Sequence, residues 1–305
     1  MPPALRIRQR WRLADQRTFI GPGRIEPRVT LVTGFPELDA LLAEFVAGLR
    51  SVLGENFTGA YMTGSFAIGD ADVHSDVDWL VVTERALSED ETLGLNAMHA
   101  DLFTRDTHWA QHLEGSYAPR EELRRPGPEK WLFLDNGATD LEWDTHCNAS
   151  VVRWTVRERP MVLAGPDPRE LIDPVPADAL RAEARPVLAE FAQWAHAPHP
   201  GHPSGMSRWK QPYVVLTICR ALHTLETGTV SSKREAGAWA KRSLDPEWRD
   251  LIQHALDDRP DPWGRVHQDS TPDLVARTRA FADAVAAGIQ VPAVCATGIS
   301  GRSRT

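Results

Sequence analysis

TGSFAIGDADVHSDVDWLVV, Thr63 to Val82, sets a Gly-Ser pair and four aspartates ahead of an apolar run. Asp76 and Asp78 are two residues apart, and on a strand that spacing sends both carboxylates to one face. Two aspartates at a strand's edge suit Mg²⁺, which is held through one or two carboxylates together with substrate phosphates. Upstream, Gly64 permits close backbone approach at the junction of a strand with the next helix, where backbone N–H groups can receive a phosphate. Asp70 and Asp72 fall in the connecting loop and read as turn formers, since Asp and Ser favour turns for local reasons.

The flanking sequence supplies the scaffold. PELDALLAEFVAGLRSVL, Pro36 to Leu53, has Pro at its start and apolar residues at three- and four-residue spacing, which predicts a helix that needs a sheet to pack on. Phe57–Met62, Val77–Val82 and Trp109–Ser116 read as strands, with a helix over Glu89–Phe103 between the last two. After the proline-punctuated linker GPDPRELIDPVP the texture becomes helical, with helices predicted over Ala177–His196, Trp209–Thr227, Ser231–Ser243, Pro246–Asp258 and Pro272–Ala287. The fold class is therefore α+β: an N-terminal domain with a mixed sheet and helices over 36–165, followed by an all-helical domain over 166–290. Residues 1–35 read as an irregular arm and 291–305 as a flexible tail. The loop from His196 to Gly205 holds three histidines, but its prolines argue against a fixed metal-ligand geometry.

At about 100–200 residues per domain, 305 residues favour two domains over one. No apolar stretch approaches the roughly 20 residues needed to cross a bilayer, and the basic N-terminus lacks the apolar core of a signal peptide. The expectation is a cytoplasmic, monomeric protein without a membrane partner. Cys147, Cys219 and Cys295 are widely spaced and read as free thiols. A net charge of −8 disfavours a nucleic-acid partner and suits a cationic small molecule better.

A strand, Gly-Ser, a loop and S-D-x-D opening a second apolar strand together resemble the nucleotidyltransferase fold of the DNA polymerase β superfamily. Within it the sequence is similar to the aminoglycoside adenylyltransferases of the streptomycin/spectinomycin type. AGPDPRELIDPVP and VVLTICRALHTLETGTVSSKREAGAWA, Val214 to Ala240, extend the likeness, which runs from about Pro36 to Asp258. The resemblance implies transfer of AMP from ATP to a small-molecule hydroxyl with release of pyrophosphate, as in antibiotic resistance. It implies Mg²⁺, as two ions, on Asp76 and Asp78, with Glu114 of HWAQHLEGSYAP as general base. Gly64, Ser65 and Ser75 then serve the triphosphate, joined from the helical half by Arg220 and Lys233, and Trp131 and Trp194 match positions that line the aminoglycoside pocket. Plainer readings stand beside these: an ordinary strand glutamate, a solvated helix-start lysine, a structural Arg220–Glu226 pair and two packing tryptophans. The likeness fails at HAPHPGHPSGMSRWKQPY, where the family's streptomycin pocket places acids and this chain has none. The acceptor stays open, and transfer to RNA or protein, or nucleotide binding without catalysis, are the alternatives.

Overall fold

A computed structural model describes residues 33–288; most of the N-terminal arm, the whole of 291–305 and Cys295 lie outside the described residues. A six-stranded mixed sheet occupies the first half. Its strands are β1 (Phe57–Met62), β2 (Val77–Thr83), β3 (Leu113–Pro119), β4 (Trp131–Leu134), β5 (Glu142–Asp144) and β6 (Met161–Ala164). They lie in the order β5-β4-β3-β2-β1-β6, with β2 and β3 parallel and every other neighbour pair antiparallel.

Helices α1 (Pro36–Leu53) and α3 (Glu89–Phe103) cover one face. From α1, Leu38, Leu41, Leu42, Phe45, Leu49 and Leu53 are buried, following the three- and four-residue spacing of the sequence. Gly48 brings the two helices close, since a Cβ there would lie 2.6 Å from the Met98 sulfur. A capping box starts α3: Glu91 N–H donates to Ser88 Oγ, and Ser88 N–H donates to Glu91. Val77, Trp79 and Val81 of β2 pack on this side. Leu80 and Val82 point the other way, into a second cluster with Tyr61, Trp131 and Val156, which α5 (Ser150–Glu158) helps to cover.

The strand expected over Trp109–Ser116 is shifted. Residues His108–Gln111 form a 3₁₀ turn that packs Trp109 beneath Phe35 and Phe66, and the strand starts at Leu113. β4, β5, β6 and α5 are additions to the sequence reading; they are short, and isolated apolar runs of three or four residues carry little periodicity.

The second half is built around α7 (Lys210–Thr227), whose buried Val214, Val215, Leu216, Ile218, Cys219 and Leu222 meet α6 (Ala177–His196), α8 (Lys233–Ser243), α9 (Arg249–Asp257) and α11 (Pro272–Ala286). Ser232 caps α8 rather than lying within it, and Pro246–Trp248 is a 3₁₀ turn ahead of α9. In the histidine-bearing loop, His196 bonds Asp283 at 2.9 Å and His202 approaches Asp269 at 3.6 Å. Among the described residues no helix is long and apolar enough to cross a membrane.

His99, on the buried face of α3, has Nε2 2.7 Å from the Tyr117 hydroxyl and Trp79 stacked against its ring. Burial lowers its pKa from 6.5 to about 3. The unfolded chain takes up this proton below about pH 6.5 while the folded chain does not, so this contribution is complete above that pH and is lost as pH falls toward 3. His99→Phe is expected to flatten the fall in urea-unfolding free energy across that window, where one such group contributes a slope of up to about 1.4 kcal/mol per pH unit.

Candidate active site

Parallel pairing sets Asp78 of β2 opposite Glu114 of β3, and Asp76 stands two residues earlier on the same face. Carboxylate oxygens of Asp76, Asp78 and Glu114 lie within 4.8 Å of one another. Asp78 is held well above the usual carboxylate range, first by burial and then by repulsion from Asp76 and Glu114. Asp76 is also raised by burial, against the opposing pull of Lys233. Closely spaced, desolvated carboxylates that cannot comfortably share their charge fit a hard divalent cation.

The connection after β1 is shaped around this group. Thr63 N–H donates to the Asp78 carbonyl at 2.9 Å, and Ser65 N–H donates to the Asp78 carboxylate. Gly64 has φ +55°, and a Cβ on it would fall 1.7 Å from Asp78 Oδ2. Its glycine therefore makes room for the carboxylate as well as for any ligand. Gly64–Ala67 forms a single helical turn, α2. Ser65 Oγ is buried at the cleft wall without a hydrogen-bond partner among the described residues, as expected of a group that meets a ligand. Ser75 Oγ accepts from Asp72 N–H at 3.0 Å and shapes the loop before Asp76.

A cleft of about 520 Å³ opens over the three carboxylates. Across it, the helical half contributes Arg220 from α7 and Lys233 from the start of α8. Burial lowers the pKa of both, against the opposing attraction of Asp78 for Arg220 and of Asp76 for Lys233. Lys233 is not a solvated lysine: its Nζ stands 5.1 Å from the centre of the Tyr213 ring. Arg220 lines the cleft, where it is drawn toward Tyr213 and Asp78. Cationic and anionic walls thus face each other without closing on one another.

Two tryptophans do not line this cleft. Trp131 is 1% exposed, donates Nε1–H to Glu122 at 2.8 Å and lies under the Arg153 guanidinium, so it is core. Trp194 packs against the helical core with Lys210 Nζ 4.6 Å from its ring centre. Trp209, Tyr213 and Trp263 line the cleft instead. Trp263, in α10 (Pro262–Arg265), stacks on His112 at 3.7 Å, and His112 Nδ1 is 2.9 Å from Asn136 Oδ1. His146 Nε2 lies 3.1 Å from Glu114 Oε1, which raises the His146 pKa. Cys147 beside it is pushed up to about 12 by burial and is inert as a nucleophile. Sequence reasoning missed these groups because each reaches the cleft through the fold, without a local motif.

Asp72 forms the expected turn, its Oδ1 accepting from His74 N–H at 2.9 Å, whereas the plain turn reading of Asp70 is corrected. Asp70 is buried and ion-paired with Arg234 and Arg259, and Arg259 also reaches Asp72.

Residues 46–130 match the family model of the nucleotidyltransferase domain, which makes the chain a nucleotidyltransferase. Residues 170–286 match the C-terminal domain of aminoglycoside adenylyltransferases. With both domains in this order, the chain belongs to the aminoglycoside adenylyltransferase family. It is 23% identical over 223 residues to a spectinomycin 9-adenylyltransferase of Staphylococcus aureus, covering 68% of this chain and 79% of that protein. It is 26% identical over 239 residues to an aminoglycoside (3'') (9) adenylyltransferase of Shigella flexneri, covering 72% and 84%. The fold is shared with the spectinomycin adenyltransferase AAD(9) of Enterococcus faecialis, solved with ATP and spectinomycin, at a TM-score of 0.58 and 16% identity over 80% of this chain and 98% of that one.

Gly64→Ala forces its methyl group into the Asp78 carboxylate from a backbone conformation that alanine rarely adopts. Divalent-cation binding, followed by Mn²⁺ titration, is expected to weaken by at least about tenfold, or ~1.4 kcal/mol.

Proposed function

We propose that this enzyme transfers AMP from ATP to a hydroxyl of an aminoglycoside or aminocyclitol, releasing pyrophosphate. The observation that carries this reading is the trio Asp76, Asp78 and Glu114, with oxygens within 4.8 Å, opposite Arg220 and Lys233 in one cleft. Asp76 and Asp78 would hold Mg²⁺, as two ions, which would neutralise the triphosphate when bound. Glu114 accepts the proton of the acceptor hydroxyl, and its contact with His146 holds the carboxylate in place. Ser65 Oγ contacts the triphosphate, while Arg220 and Lys233 stabilise charge on the departing pyrophosphate. In this reading residues 36–165 form the catalytic module and 166–290 close over it.

The named relatives and their activities support this class of acceptor. Ser65, Arg220 and Lys233 share the cleft with Val151, Thr155, Trp209 and Tyr213, polar and aromatic surface on which an acceptor can rest.

The test is incubation with ATP, Mg²⁺ and a panel including spectinomycin and streptomycin, read by mass spectrometry for added AMP and by an assay for pyrophosphate. One or more AMP adducts are expected. Glu114→Gln is expected to lower kcat by about 10²–10⁴-fold while retaining ATP binding. Asp76→Asn or Asp78→Asn is expected to abolish turnover, as is EDTA. Absence of any adduct across the panel overturns the acceptor class.

A further inference from the structure

We propose that Asp70 is a positioning residue: through Arg234 and Arg259 it fixes the start of α8, and with it Lys233, against the loop that leads into the carboxylates. This rests on the nucleotidyltransferase reading of the cleft.

The geometry is a clasp. Asp70 is 8% exposed, and its backbone N–H donates to the Ser65 carbonyl at 3.0 Å. Its carboxylate takes the Arg234 Nε at 2.8 Å on one oxygen and the Arg259 Nη1 at 2.9 Å on the other. Arg234 N–H donates to the same carboxylate at 3.3 Å, so the backbone at the start of α8 is held as well as a side chain. Arg259 extends the grip, donating through Nη2 to the Asp70 carbonyl at 3.2 Å and to Asp72 at 3.3 Å. One residue before Arg234 is Lys233, and five before Asp70 is Ser65.

The clasp spans cores that are built separately. The helical cluster around α7 shares no buried residue with the two clusters that cover the sheet. The halves also meet where Ser150 N–H donates to Glu183, and the clasp is a contact that lies directly beside Lys233. An exposed ion pair holds little, but a buried carboxylate engaged by two arginines leaves a costly unpaired charge when one partner is removed. Arg259 lies just before the Pro260–Trp263 segment that stacks on His112, so the same side chain steadies the second rim contact.

The clasp is tested by the affinity of the whole enzyme for ATP with Mg²⁺, measured calorimetrically without acceptor, for Asp70→Asn, Arg259→Gln and their combination. Each single variant is expected to raise the ATP Kd by about tenfold. The combination is expected to lose little more than the worse single variant, because both break one contact. In turnover, the KM for ATP rises while the KM for the acceptor stays put, a split that general loosening of the fold would not give. Unchanged ATP affinity in Asp70→Asn, or losses that multiply in the combination, overturns the proposal. So does tighter ATP binding by Asp70→Asn, the result expected if Arg259 contacts the nucleotide directly and Asp70 competes for it. If Asp70→Asn fails to fold, Arg234→Gln/Arg259→Gln carries the same expectation, since the Arg234 side chain is 69% exposed. Wild-type ATP binding without AMP transfer sinks the functional reading alone; a wild type that binds no ATP sinks both.

Discussion

The crowding of two half-buried carboxylates side by side at the start of β2, with a third on the adjacent strand, is the constraint around which the rest is arranged. Such a group is stable only if positive charge is brought to it, and among the described residues the sheet-bearing half lines the cleft with carboxylates and histidines but neither lysine nor arginine. Arg220, Lys233 and Arg259 all come from the helical half. Neither half completes the site alone, which accounts for the rim contacts between them. The parallel β2–β3 pairing serves the same end. It runs in register from Val77↔Leu113 to Thr83↔Pro119, and a slip of one residue would send Glu114 to the opposite face of the sheet.

Much of this was legible in the sequence, for local reasons. D-x-D on a strand fixes the face of two carboxylates, and a glycine against them marks a close approach. The helix over Pro36–Leu53 follows from spacing alone. The illegible part is long-range. Asp70 looks like any turn aspartate until Arg259, far along the chain, folds back onto it. His146 and Trp263 carry no motif, and their roles follow from which strand ends and helix starts meet at the cleft. Glu114 was found by resemblance; its register opposite Asp78 gives it a physical ground.

The aromatic residues show the opposite failure. Trp131 and Trp194 have the size and chemistry to face a sugar, and the fold uses both for packing. Which indole lines a cleft depends on which side of its element faces the core, and a tryptophan at a helical spacing suits either side. Tyr213, on the buried helix α7, reaches the cleft because that helix passes directly beneath it.

Lys210 gives Trp194 a further character. Its ammonium donates to the Ala197 carbonyl at 2.7 Å and stands over the indole at 4.6 Å, with the whole residue 1% exposed. An amine arriving from solution would compete for that ring with one already tethered to the chain, whose effective concentration no free ligand matches. The ring is thus already held by the chain's own cation, apart from the residues that line the cleft.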